Sequence, residues 1–244
     1  MGKDRHGRRD ECVPTGAAMS FGIRQGYTPR LNPEYFHDVK PDGKTWQPDL
    51  IPIAIHLART SGVKRIIDIG CGRATGLVPY STEFDIVGVD FGDNHNYCRD
   101  TYDWGTWVDC DLEKYIPDVE TRDSIIVCAD TIEHLVQPDY LLATIMSGLV
   151  CAKFALISTP DRERVYGYDQ DGPPGNPHHV REWTLNEMTA LLESHGLRIA
   201  WAGWTRSNNV DVTKNTLLIA ATNPHSSYTV GKLDQIFDVE AWNR

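Results

Sequence analysis

Short β-branched apolar runs alternate with stretches of helical periodicity through most of the chain. Residues 48–61 place apolar side chains three and four apart and stop at Gly62, which predicts a helix. Five runs then read as strands: 64–69, 84–89, 106–110, 124–128 and 154–158. Helical patterns follow at 94–101, 139–149 and 185–194. Alternation at this spacing indicates a doubly wound α/β sheet of parallel strands. The end of the pattern differs. Residues 197–204 and 216–222 flank a polar stretch with no helix between them, so an antiparallel pair is expected to close the sheet. Residues 1–45 carry Gly, Pro and charge with little periodicity. They read as a flexible start followed by a lid-like segment bearing Tyr35 and Phe36, ahead of a main domain at 46–222 and a tail at 223–244.

Composition narrows the class. The chain has 244 residues, 41% of them hydrophobic and 24% charged, as in an ordinary globular protein. No stretch approaches the roughly 20 apolar residues of a membrane span. The net charge of −10 disfavours a phosphate backbone as partner, so a small-molecule acceptor is expected rather than nucleic acid. Arg5, Arg8 and Arg9 are offset by Asp4 and Asp10 and read as a solvated end. The opening MGKDRHGRRDE lacks the apolar core of a signal peptide, and His6 stands where myristoylation needs Ser or Thr. Six cysteines (Cys12, Cys71, Cys98, Cys110, Cys128 and Cys151) form no CxxC pair. They read as thiols of a reducing, cytoplasmic setting.

The chemistry concentrates after the strands. RIIDIGCGRATG, residues 65–76, runs an apolar strand into Gly70-Cys71-Gly72. Glycines there permit a tight turn and close approach of a ligand to the backbone. Asp90 ends the next strand, 22 residues after Asp68, where a carboxylate can accept both hydroxyls of a ribose. A nicotinamide dinucleotide is the competing ligand. However, the third glycine of its fingerprint is displaced to Gly76, and Asp68 would repel a pyrophosphate while suiting a cation.

With Asp68 two residues ahead of Gly70, the loop resembles motif I of the class I S-adenosylmethionine (SAM)-dependent methyltransferases. The resemblance extends over roughly Lys64–Thr222. It implies a Rossmann-like sheet of seven strands, the last antiparallel, with SAM at the carboxyl ends of the strands. By that resemblance Asp68, Gly70, Cys71 and Gly72 shape the methionine pocket, and Asp90 holds the ribose. Phe91 packs on adenine, Asp111 and Leu112 meet its edge, and Asp130 follows the fourth strand.

Asp130-Thr-Ile-Glu133-His134 leaves that fourth strand, where a helix is expected near Thr131 with Asp130 as its cap. After the fifth strand, residues 158–184 form a Gly/Pro-rich loop too long for a plain connector. It ends in His178-His179-Val-Arg-Glu-Trp183-Thr184 and is expected to fold both histidines over the site. Two chemistries stay open. A histidine, His134 or His179, acts as general base on an alcohol. Alternatively, the acids and histidines hold a divalent metal such as Mg or Mn that binds a diol. The pattern D-x-x-E-H with a distant H-x-x-E-W-T resembles the metal-dependent small-RNA 2′-O-methyltransferases, which implies Asp130, Glu133, His134 and His179 as ligands. This chain has Asp130 where that family has Glu, and a longer loop before His179. The same strings are similar to small-molecule methyltransferases of sugar and natural-product tailoring. Plain packing remains the other reading of His134, and a surface position that of His178. Trp46, Trp183, Trp201 and Trp204 are candidates to line an acceptor pocket, with Trp201 and Trp204 on opposite faces of one strand.

Overall fold

The computed structural model describes residues 21–39 and 44–242. The expected basic start and Cys12 lie outside them. Helix α1 (Leu50–Ser61) precedes β1 (Arg65–Ile69), β2 (Asp85–Asp90), α2 (Gly92–Thr101), β3 (Gly105–Asp109) and β4 (Ser124–Ala129). Then come α3 (Asp139–Gly148), β5 (Ala155–Pro160), α4 (Arg162–Tyr166) and α5 (Leu185–Ser194). Strands β6 (Arg198–Thr205), β7 (Thr216–Thr222) and β8 (Glu240–Ala241) complete the chain.

One eight-stranded sheet has the order β3-β2-β1-β4-β5-β7-β6-β8. β1 to β5 pair in parallel, and β7 runs antiparallel to both β5 and β6. The expected antiparallel closure is therefore present. The count is one higher than seven because the tail adds β8, antiparallel to β6. Gly203 makes that pairing possible: a Cβ there would overlap the carbonyl oxygen of Glu240.

Strand alternation sorts the core into two layers. Ile67, Ile69, Val89, Ile126 and Ile157 face α3 and α5. Ile66, Ile86, Ile125, Val127 and Leu156 face α1. Burial on both faces explains why these strands read as near-continuous apolar runs. Gly62, at φ +71°, ends α1, and a reciprocal Thr184–Glu187 capping box starts α5. Among the described residues no helix is long and apolar enough to cross a membrane.

Three local expectations are corrected. The helix after β4 is a single 3₁₀ turn, Ile132–His134, and Asp130 does not cap it. The long loop contains α4, one turn capped by Asp161, too short to show periodicity. Trp183 lines no pocket: it is fully buried in the α5-side core, and its Nε1 donates to the Phe21 carbonyl at 2.8 Å. Trp201 and Trp204 do take opposite faces, one packed on each core layer.

The sheet order reverses between β1 and β4, and the carboxyl ends of the strands beside such a reversal are where open α/β sheets bind ligands. Residues 21–39 cross that end and are tied to the long loop. Thr28, Arg30 and Glu34 donate main-chain hydrogen bonds to Asp171, Val180 and Pro177. Trp183→Ala should destabilise the chain by about 3–5 kcal/mol, read in a denaturant titration. Trp46→Ala, at an exposed position, should cost less than about 1 kcal/mol.

Candidate functional site

The β1 exit forms the tight turn that its glycines imply. Gly70 sits at φ +75° against Thr131, whose side chain a Cβ would overlap. The Gly70 and Cys71 N–H groups donate to the Val89 carbonyl at 2.8 and 3.1 Å, which locks the loop onto β2. Cys71 is half-buried beneath it. A contact with Cys98, together with burial, raises its thiol pKa well above the usual range. Asp90 accepts from Gly72 N–H at 2.8 Å and from Phe91 N–H at 2.8 Å. Its carboxylate is thereby aimed across the loop.

Three carboxylates converge here. Asp68 is buried beneath the loop, and its Oδ1 has no hydrogen-bond partner. Burial pushes its pKa up to about 7, with further push from Asp90 and Asp38. Burial likewise raises Asp90 to about 6 against the hydrogen bonds that oppose it. The third acid, Asp38, arrives from the N-terminal segment and accepts from Arg73 N–H at 2.9 Å. Among the described residues no cation pairs with any of the three. Such a pocket favours a positively charged ligand and repels a pyrophosphate.

The neighbouring candidates differ in what they offer. Phe91 precedes α2 with the Tyr35 ring edge-on at 5.2 Å, and the Tyr35 hydroxyl donates to the Phe91 carbonyl at 3.0 Å. Asp111 accepts from Glu113 N–H and from Lys114 Nζ, at 3.0 and 2.6 Å. The Leu112 side chain is buried in the core, so only its main chain is free to meet a ligand.

The acid–histidine set lies at the β4 exit. Glu133, His134 and His179 each offer a ligand atom, all within 4.8 Å of one another. Glu133 is fully buried; its Oε2 accepts from Thr159 Oγ1 at 3.0 Å, while its Oε1 has no partner. Burial, then Asp130, raises its pKa well above the carboxylate range. His134 Nδ1 lies 2.9 Å from the His178 carbonyl, which places the proton on Nδ1. His179 Nδ1 lies 2.6 Å from Glu182 Oε1, and Asn176 Nδ2 reaches its Nε2 at 2.9 Å. Burial lowers the His134 pKa to about 3 and the His179 pKa to about 4, so both rings are neutral near pH 7.

Two expected members stand apart. Asp130 is not in the three-residue group. It sits at φ +44°, and its carboxylate accepts from Gln47 Nε2 at 2.8 Å and from Ser158 Oγ at 3.4 Å. Burial raises it to about 7. His178 contributes its carbonyl, while its ring turns to the Glu34 carbonyl at 3.2 Å. Asp38, Gln47, Asn176 and Glu182 were not foreseen. Only Glu182 left a signal, three residues after His179 as acid to its base.

The donor set fits a divalent ion. A buried carboxylate oxygen is left without a partner beside two neutral imidazoles whose Nδ1 protons are tied to oxygens, so the Nε2 atoms are the ligand atoms. Two imidazoles and one carboxylate suit manganese or iron better than magnesium.

No protein-family profile matches this chain, and no curated protein is similar to it in sequence. Solved structures share its fold. The methyltransferase domain of bacterial CtHen1-CN superposes with a TM-score of 0.54 at 16% identity, over 73% of this chain and 100% of that one. The small RNA methyltransferase HEN1 gives 0.55 at 17%, over 79% of this chain, which spans only 27% of that protein. The glycopeptide N-methyltransferase MtfA, complexed with sinefungin, gives 0.54 at 14%, over 72% of this chain and 87% of that one. The chain therefore has the Rossmann-like fold of SAM-dependent methyltransferases, shared by structures with different acceptors.

The buried acids predict a pH dependence for the ligand-free chain. Raised carboxyl pKa values mean that the folded state holds protons the unfolded state has lost, so the penalty grows as pH rises. Both histidines are uncharged, folded or unfolded, above about pH 7 and so add little there. The melting temperature should fall between about pH 7 and pH 8.5, levelling off as Asp68 and Asp130 near 7 and Glu182 near 8 lose their protons in the folded chain, and Asp68→Asn should flatten the fall. A melting temperature that rises across this window contradicts the assignment.

Proposed function

We propose that the chain is a SAM-dependent methyltransferase that O-methylates a hydroxyl of a small polyhydroxylated acceptor, assisted by a divalent ion. The supporting observation is the pairing of unlike sites on adjoining strand exits. An unneutralised carboxylate pocket at β1 and β2 suits a cationic cofactor, and a three-residue donor set at β4 suits a metal. SAM, when bound, supplies an electrophilic methyl group on a sulfonium. Asp68 would face its cationic methionine end and Asp90 would accept from its ribose hydroxyls. Phe91, Asp111 and the Leu112 main chain would border the adenine. Gly70 and Gly72 let Thr131 and Asp38 close onto the turn, whose main chain would border the ligand.

At the second site Glu133, His134 and His179 would hold the ion. A divalent ion there would bind a vicinal diol and lower the pKa of the hydroxyl to be methylated. Glu182 keeps the His179 proton on Nδ1, and Asn176 must release Nε2 for ligation. The low basicity of both imidazoles supports ligand roles over a general-base role. Aligning acceptor and cofactor supplies much of the rate, since orientation alone is worth about 7–11 kcal/mol.

The acid balance of the chain favours a small acceptor over a polyanion. A second reading, 2′-O-methylation at the 3′ end of RNA, is supported by the donor set itself, because a terminal ribose is also a vicinal diol. Fractionated extract supplied with labelled SAM separates the two. Label is expected in small polyhydroxylated metabolites, to be lost with EDTA and regained with manganese. Label in RNA would replace the first reading by the second, and EDTA resistance would remove the metal. Glu133→Gln and His179→Ala should each reduce turnover by about 100-fold or more. Unchanged turnover in either variant would remove that residue from the site.

A further inference from the structure

Asp38 is the one acid of the cofactor pocket that does not belong to the sheet scaffold. It reaches the glycine loop from the N-terminal segment, 30 residues before Asp68. Its Oδ2 accepts from Arg73 N–H at 2.9 Å and lies 2.7 Å from where a Gly72 Cβ would stand. Its own N–H donates to Asn94 Oδ1 at 3.1 Å, and Asn94 Nδ2 donates to the Phe36 carbonyl at 3.3 Å. The Tyr35 hydroxyl is tied to Phe91. Residues 35–38 are thus fastened to α2 and to the loop, with Asp38 over Gly72. Beneath them, the buried Asp68 Oδ1 has no partner. A neighbouring carboxylate raises the cost of leaving that pocket without positive charge.

We infer that Asp38 is a charge-discriminating residue of the cofactor pocket, one that favours a sulfonium-bearing cofactor over its neutral thioether product. This rests on the SAM reading above. The physical basis is that SAM carries one more positive charge than S-adenosylhomocysteine and otherwise differs by a single methyl group. Both ligands carry the ammonium and carboxylate of the amino-acid end, so a carboxylate beside the loop tells them apart through the sulfonium charge alone. Asp68 facing the ammonium and Asp90 on the ribose would serve both ligands alike, so the added charge of Asp38 is what weights the pocket toward the sulfonium form and favours exchange of the product once the methyl has left. Because Asp38 sits on a segment outside the sheet, its charge can be removed without disturbing β1 or β2.

The test is calorimetric titration of the full chain with SAM and with S-adenosylhomocysteine. Asp38→Asn should weaken SAM binding by about 10-fold and leave S-adenosylhomocysteine within about 3-fold, since about 1.4 kcal/mol corresponds to a factor of ten. Asp38→Glu, which keeps the charge, should recover most of the difference. Tyr35→Phe, which removes the neutral tie to Phe91, should shift both ligands alike. Equal losses for the two ligands in Asp38→Asn, or no loss for either, would overturn the inference and leave the methyltransferase reading standing. A wild-type chain that binds neither ligand would overturn both.

Discussion

Everything at this site depends on negative charge held in a place where water cannot neutralise it. Asp68 is buried with an oxygen unpaired, Asp90 is pinned by two main-chain N–H groups, and Asp38 lies across the loop above. Burying a carboxylate without a cation is costly, and the group responds by holding its proton. The acids are therefore frustrated in a specific sense. A cationic ligand relieves the strain of three acids at once, and an anionic one adds to it. The β4 exit repeats the device with Glu133, whose Oε1 has no partner beside two imidazoles. Buried acids of this kind, set apart from any cation, are a common mark of functional sites.

The fold makes that placement possible. Parallel strands bury both faces and leave polar chemistry nowhere to go but the strand ends. Apart from Asp38, the candidate acids lie at strand ends: Asp68 sits near the end of β1, Asp90 ends β2, and Asp130 and Glu133 follow β4. The exits of β1, β2 and β4 are neighbours at the point where strand order reverses. The long loop brings His179 across from β5, and the segment 21–39 braces that loop by main-chain hydrogen bonds. Strain appears where the two halves meet. Gln47 and Asp130, both at positive φ, share a hydrogen bond beside the site.

Much of this was legible in the chain, for reasons that differ residue by residue. The strands show because doubly buried segments read as apolar runs, and the helices because their periodicity spans ten residues or more. Asp68, Gly70, Gly72 and Asp90 show because glycines after an apolar strand have few other uses. Glu133, His134 and His179 show as two short strings whose nearness follows from β4 lying beside β5. Asp38 was invisible: nothing in its surroundings has a period, and only the folded path of the segment places it over Gly72. Trp183 misled because an aromatic in a loop looks like a pocket wall, whereas the structure buries it completely. The helix expected after β4 failed because Leu135 leaves the helical region after one 3₁₀ turn. β8 is only two residues long and carries no pattern.

The central claim is that the carboxylate pocket exists to hold a cationic cofactor. Titrating SAM into the chain near pH 7, in two buffers of different ionisation enthalpy, tests it most directly. With Asp68 near 7 and Asp90 near 6, a bound cation should expel part of a proton, so the apparent heat of binding should differ between the buffers. Binding with net proton release, and no binding of a nicotinamide dinucleotide, is the predicted result. Binding of the dinucleotide in preference to SAM, or SAM binding with no proton released, would contradict the account.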